Sequence, residues 1–336
     1  MKTHFDRTNK ILGHKGIIDY LKKGVINDRL AHAYLFLGRP GLGKKTVAFH
    51  FFQSILCHSF NKNISIIPCG ECSACREFSR GQYPDFYEIE REAGKKNISI
   101  EQIRAIRHHL SLKSSQAGYK FVIINEIEYL TSEAANSFLK TLEEPAPKTI
   151  IILIGSNEEA IPKTILSRCQ IIRYRSVPER EIREYLKANK NLDTLPAKVM
   201  AELSRGCPGR AINLADNPDI LEEEERKIEQ FLELIKSSLG RRLAEISRLK
   251  FSDDMAGEIY SFFDTWQVVS RDLLLNKLGL NDLLTQRSKK VIFSNIGAKK
   301  DFKKLQELLD FSLTAPFLLK KNINPRIILE NYMLKI

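Results

Sequence analysis

Two short stretches carry residue types and spacings that imply chemistry. The first is "GRPGLGKK", residues 38–45, which fits G-x-x-x-x-G-K and follows the apolar run "YLFL" directly. In such a loop Gly38, Gly41 and Gly43 let backbone N–H groups turn inward toward phosphate oxygens, and Lys44 adds a cation beside the β- and γ-phosphates. The second is "PCGECSACREF", residues 68–78, which gives C-x₂-C-x₂-C at Cys69, Cys72 and Cys75, with Cys57 shortly before it. Four thiolates can enclose Zn²⁺ tetrahedrally in a closed structural site. An iron–sulfur cluster is the competing reading, but residue 79 is Ser and no Cys-Pro follows, which favours zinc.

The phosphate loop departs from its motif where a metal ion would be held. The residue after the loop lysine is ordinarily Ser or Thr, whose hydroxyl ligates Mg²⁺. Here it is Lys45, and Thr46 comes one place late. One residue along a helix rotates a side chain by about 100°, which is expected to carry Thr46 away from the metal position. A second departure lies in "FVIINEIEYL", an apolar strand followed by the place of an acidic pair. Asn125 stands where a Mg²⁺-binding Asp is expected, and a neutral amide is a poor ligand for a hard cation. Glu126 stands where a water-polarising carboxylate belongs. Bound ATP with Mg²⁺ is therefore doubtful, and hydrolysis by this chain is not expected.

These residues need a scaffold that brings loop ends together. "AYLFL" (33–37), "FYEI" (86–89), "FVIIN" (121–125), "IIILIG" (150–155) and "QIIRY" (170–174) read as strands. Between them, "KKTVAFHFFQSILC", "SIEQIRAIRHHLSL" and "TSEAANSFLKTLEE" carry apolar residues at helical spacing. In the last, Thr131 or Ser132 can cap and Pro145 ends the helix. Alternating β and α elements predict an α/β domain with a parallel sheet covered on both faces. Past residue 176 the strand signal fades into short helices, and beyond residue 219 everything reads as helix. The expected division is residues 1–177 as the loop-bearing domain with a cysteine module at 57–80, 178–217 as a small helical domain, and 218–336 as a larger helical one.

The chain has 336 residues, enough for two or three domains, with 43% hydrophobic and 28% charged residues. A net charge of +12 suits a polyanionic partner or simple solubility equally well. The start carries no secretory-type apolar region, and the most apolar run, "TIIILIG", is too short for a bilayer. The expectation is a cytoplasmic protein without a membrane partner. In that compartment clustered cysteines indicate metal rather than disulfides.

"GRPGLGKKT", the cysteine insert, "NSFLKTLEEPAP" (136–147), "ILSRCQII" (165–172) and "GCPGRA" (206–211) occur in this order. Together they resemble the clamp-loader AAA+ proteins of the bacterial DNA polymerase III holoenzyme, strongly over about residues 10–215. The resemblance implies a P-loop AAA+ sheet domain, a helical lid domain and a helical collar that assembles subunits into a hetero-oligomeric ring. It implies gamma/tau and delta subunits, a sliding clamp and primed DNA as partners, within a nucleotidyltransferase complex. Arg168, in "SRC", matches the arginine finger that reaches a neighbour's γ-phosphate, and Arg210 matches the second sensor arginine. The Lys45 and Asn125 departures, the length and "WQVVSRDLLLNKLG" (266–279) are similar to the delta-prime type. The alternatives are an active gamma/tau-type ATPase motor and a zinc-containing DNA-binding regulator that forms no ring.

Overall fold

Continuous β-branched and aromatic runs belong in strands buried on both faces, and that is where they lie. The structure, a computed structural model, describes residues 11–58, 68–92, 94–112, 114, 118–248, 255–321 and 323–336. It falls into two compact units, one up to Ile182 together with Gly206–Gly209, the other comprising Arg183–Arg205 and Arg210–Ile336.

In the first unit the order is α1 (Lys15–Ile26), β1 (Ala33–Leu37), α2 (Lys44–Leu56), α3 (Ser73–Ser79), β2 (Phe86–Ile89), α4 (Ile100–Ser111), β3 (Lys120–Ile124), α5 (Ser132–Glu143), β4 (Thr149–Gly155), α6 (Lys163–Leu166) and β5 (Gln170–Arg173). The described strands form one parallel sheet in the order β2-β3-β4-β1-β5. β1, β3 and β4 are buried along their whole length, whereas the edge strands β2 and β5 are partly exposed. That is the pattern of a sheet with helices on both faces.

Alternate strand residues feed two separate cores. Tyr34, Phe36, Phe121, Ile123 and Ile152 pack with Phe49 and Phe52 of α2 and Phe78 of α3. Leu35, Leu37, Val122, Ile124 and Leu153 pack with Ile103 and Ile106 of α4 and Phe138 of α5. Thr131 caps α5 by accepting the Ala134 N–H at 3.2 Å, as its sequence suggests. Because the strands are parallel, the segments after β1, β3 and β4 all leave the sheet at the same end.

The rest of the chain is helical among the described residues: α7 (Glu179–Lys190), α8 (Thr194–Ser204), α9 (Pro208–Asp216), α10 (Pro218–Lys236), α11 (Leu239–Arg248), α12 (Met255–Lys277), α13 (Lys290–Gly297), α14 (Phe302–Lys320) and α15 (Pro325–Lys335). The core of the second unit centres on Trp266, stacked on Phe231 at 4.9 Å and on Tyr332 at 5.0 Å between ring centroids. Tyr332 is fully buried, and its hydroxyl lies 3.0 Å from Ser270 Oγ. Among the described residues no helix is long and apolar enough to cross a membrane.

Phe121 is fully buried on the interior strand β3 and stacks on Phe52 at 4.4 Å. Phe121→Ala should lower stability by about 3–5 kcal/mol, the usual cost of emptying an aromatic core position. Denaturant unfolding with an unshifted midpoint would contradict this placement.

Candidate functional site

The chain leaves β1 at Leu37, turns through Gly38–Gly43 and enters α2 at Lys44. Three glycines make that turn, with φ of 150° at Gly38, 78° at Gly41 and 84° at Gly43, a region side chains disfavour. A Cβ on Gly38 would lie 2.9 Å from the Tyr174 carbonyl oxygen. The Gly38 N–H donates to the Gly155 carbonyl at 3.2 Å, and the Gly209 N–H donates to the Gly41 carbonyl at 2.8 Å. A side chain on Gly209 would press within 3.1 Å of that same carbonyl. "GCPGRA" thus contributes a glycine that backs the loop. α2 has no side-chain cap at its N-terminus, which leaves its first-turn N–H groups directed at an anion position.

The loop borders a cleft of about 380 Å³ whose lining includes Gly41, Lys44, Thr46, Asn125, Glu128 and Ser156. Lys44 is buried, donating to the carbonyls of Gly38 and Arg39, the latter at 2.8 Å. Burial lowers its pKa to about 8, against an opposing pull from Glu128. Lys45 pairs with Glu88 and with Glu90 at 2.7 Å, both outside the cleft lining. Thr46 is not carried out of the site as its one-residue shift suggests. The cleft wraps the first turn of α2, so Lys44, Lys45 and Thr46 all line it.

Asn125 and Glu126 both line the cleft, as the sequence suggests, and each has a partner. The Asn125 amide lies 3.5 Å from Glu90 Oε1. Glu126 adopts φ 54° and gives both carboxylate oxygens to Arg91, at 2.6 and 2.9 Å. The carboxylate that acts on Lys44 is Glu128 instead. The turn at Ile127–Tyr129 brings it round to accept the Ser156 N–H at 3.0 Å and the Ser156 hydroxyl. Its Oε2 is buried with no hydrogen-bond partner among the described residues. Glu88, Glu90, Arg91, Glu128 and Ser156 went unread in the sequence. The "EIE" triplets at 88–90 and 126–128 were their only local signal.

The four cysteines converge. Cys57 closes α2, while Cys69, Cys72 and Cys75 lie before and within the first turn of α3. All four Sγ atoms lie within 4.8 Å of one another, with Cys57 to Cys69 at 3.5 Å and Cys69 to Cys75 at 3.9 Å. Four sulfurs about 2.3 Å from a tetrahedral centre stand about 3.8 Å apart, so this donor set fits a metal ion. Backbone N–H groups of Cys72 and Glu71 lower the Cys69 pKa to about 6, whereas burial raises that of Cys75. Cys169 and Cys207 lie outside the cluster, and Cys207 packs in the sheet core.

The two arginines singled out in the sequence lie outside the cleft lining. Arg168, just after α6, donates to Glu143 Oε1 at 2.9 and 2.5 Å and to the Thr164 carbonyl at 2.9 Å. Arg210 belongs to the second unit and pairs there with Glu224 at 2.5 Å and Asp264 at 3.2 Å.

Lys44 gives a pH test of the cleft. Its folded pKa lies below the ordinary lysine value of 10.5, so between about pH 8 and 10.5 the unfolded chain binds more protons, and stability must rise with pH across that window. Relative to Lys44→Met, the wild type should therefore gain stability from pH 8 to pH 10 in denaturant titrations. A flat difference would show that Lys44 is not held in a desolvated site.

Residues 13–178 match the family model described as DNA polymerase III, delta subunit. The chain is 32% identical to DNA polymerase III subunit gamma of Buchnera aphidicola subsp. Schizaphis graminum over 213 residues, covering 62% of this chain and 57% of that protein. It is 28% identical to DNA polymerase III subunit delta' of Bacillus subtilis over 215 residues, covering 64% of this chain and 63% of that protein. It thus spans less than two thirds of either relative's length. A solved structure of a Thermotoga maritima gamma subunit-related protein aligns over 94% of this chain and 97% of that one, at 21% identity and a TM-score of 0.44. The glycine loop, the "LEEP" and "SRC" stretches and the cleft lining apart from Gly209 fall within the matched residues, and over residues 13–178 the chain carries a domain of the DNA polymerase III clamp-loader family.

Proposed function

We propose that this chain is a delta-prime-type clamp-loader subunit. It would act in a hetero-oligomer with gamma/tau and delta subunits that places a sliding clamp on primed DNA. It would not hydrolyse ATP itself, and it would lend Arg168 to a neighbour's ATPase site. The observation that carries this reading is the position of Lys45. An ammonium paired with Glu88 and Glu90 stands in the cleft where a hydroxyl ligand for Mg²⁺ belongs. Asn125 in the acid position and Glu126 committed to Arg91 agree with it. In this reading residues 1–177 are the AAA+ domain, 178–217 the lid and 218–336 the collar. Its rival, an active gamma/tau-type motor, is favoured by the similarity to subunit gamma.

The two part on measurement. The isolated chain should show negligible ATP turnover yet form a stoichiometric complex when mixed with a motor subunit. Arg168 pairs with Glu143 at the surface rather than with its own cleft. Arg168→Ala should leave assembly intact and lower the complex's DNA-stimulated ATPase only partly, because one site of several is affected. An arginine on a transferred phosphate is worth about 10³–10⁵ in rate at its own site. Unchanged ATPase in the mutant complex, or turnover by the isolated chain that Lys44→Ala abolishes, would reject this assignment.

The cysteine cluster is assigned a structural Zn²⁺ held by Cys57, Cys69, Cys72 and Cys75. A closed four-thiolate set leaves no open position, so the ion would shape the module rather than react. Elemental analysis should find one zinc per chain, lost in Cys75→Ser. Chelation should loosen residues 68–80 in hydrogen exchange while the sheet stays protected. Iron, or no metal in protein prepared without chelator, would overturn the assignment.

A further inference from the structure

The P-loop fold implies Mg²⁺ beside the phosphates, and the residues at that place do not fit one. Mg²⁺ requires a near-octahedral set of oxygens at about 2.0–2.1 Å. The carboxylates beside Lys45, Glu88 on β2 and Glu90 just beyond it, stand outside the cleft lining and are both engaged by Lys45 Nζ. Glu128 of the lining acts on Lys44 and accepts from Ser156, with only its buried Oε2 unpartnered among the described residues. The Asn125 amide is turned to Glu90, and Glu126 is tied to Arg91. A divalent ion entering this set would have to displace a cation that is covalently part of the chain. The Lys45 side chain is 18% exposed and reaches across the Phe49 ring at 5.9 Å, so it is partly built into the wall of the cleft.

We propose that Lys45 is a resident substitute for the divalent ion, so that the glycine loop takes up a nucleoside di- or triphosphate without metal. The loop N–H groups and Lys44 face the phosphates. Lys45 neutralises the acidic cluster behind them, which would otherwise repel an anion. The positive charge a motor subunit recruits from solution with each nucleotide is thus supplied by the chain. The inference rests on reading the cleft as a nucleotide site, but not on the Arg168 assignment, which is tested in the assembled complex.

Removing the ammonium should expose the carboxylate pair to a real divalent ion. Mn²⁺ added alone, followed by electron paramagnetic resonance, should bind to Lys45→Thr and not to the wild type. In calorimetric titrations with ADP and ATP, the wild type and Lys45→Arg should bind within about threefold equally in Mg²⁺ and in EDTA. Lys45→Thr should bind more than about tenfold tighter in Mg²⁺. Lys45→Arg keeps a cation in place and separates loss of charge from loss of folding. Tightening of wild-type binding by tenfold or more with Mg²⁺ would overturn the proposal, as would failure of folded Lys45→Thr to bind Mn²⁺. Absence of heat from either nucleotide in both buffers would also overturn it, while leaving the clamp-loader reading untouched.

Discussion

The loop between β1 and α2 keeps its shape because backbone meets backbone on both of its sides. Gly38 lies against the Tyr174 carbonyl and bonds to Gly155, and Gly41 receives the Gly209 N–H. No side chain fits at Gly38 or Gly209 without displacing peptide groups, so glycine there is a steric requirement. The loop is therefore held by β4, by Tyr174 just beyond β5 and by the 206–209 segment, all within one unit. Such preorganisation removes an ordering cost that a ligand would otherwise bear. It also leaves the loop geometry independent of which residues occupy positions 45 and 125.

α2 joins the loop to the cysteine cluster. Its 13 residues span about 20 Å, from the phosphate-facing N-terminus at Lys44 to Cys57 at its C-terminal cap. Near that far end, Gln53 donates to the Cys75 carbonyl at 3.0 Å and to Ser79 Oγ at 2.9 Å. One turn earlier, Phe49 meets Phe78 of α3 at 6.0 Å between ring centroids. Phe78 in turn packs on Phe86 and Phe121 of the sheet. The cysteine module thus fastens the end of the helix whose beginning forms the cleft, and its place in the chain follows from that. It braces the site from about 20 Å away, the length of the helix.

Much of this was legible in the sequence because it is local. Strand and helix runs matched the observed elements to within a residue or two, and the cysteine spacing indicated a cluster that the fold closes. The order β2-β3-β4-β1-β5 was not legible, since strand neighbours are chosen by non-local packing. The partners of the acid residues were not legible for a related reason. A register count along "INEIEY" selects Glu126, but the left-handed conformation at Glu126 redirects the chain and brings Glu128 to Ser156. Lys45 was recognised as a missing ligand. That it is a paired cation depends on Glu88 and Glu90, more than forty positions away, on a strand reached only through the fold.

Arg168 and Arg210 are the same residue type in "SRC" and "GCPGRA", and their surroundings set different costs for moving them. Arg168 pairs with Glu143 where both side chains are substantially exposed, 33% and 48%. An exposed pair of this kind is worth about 0–1 kcal/mol, so Glu143 orients the guanidinium without holding it against a competing phosphate. Arg210 is shared between Glu224 and Asp264, and the Glu224 side chain is only 13% exposed. Asp264 also accepts from Arg205, so one carboxylate ties two arginines of the second unit together. Withdrawing Arg210 would strand a mostly buried carboxylate, the costlier kind of pair to break. The electrostatics therefore make Arg168 the less costly of the two to move and Arg210 one that holds its own unit together.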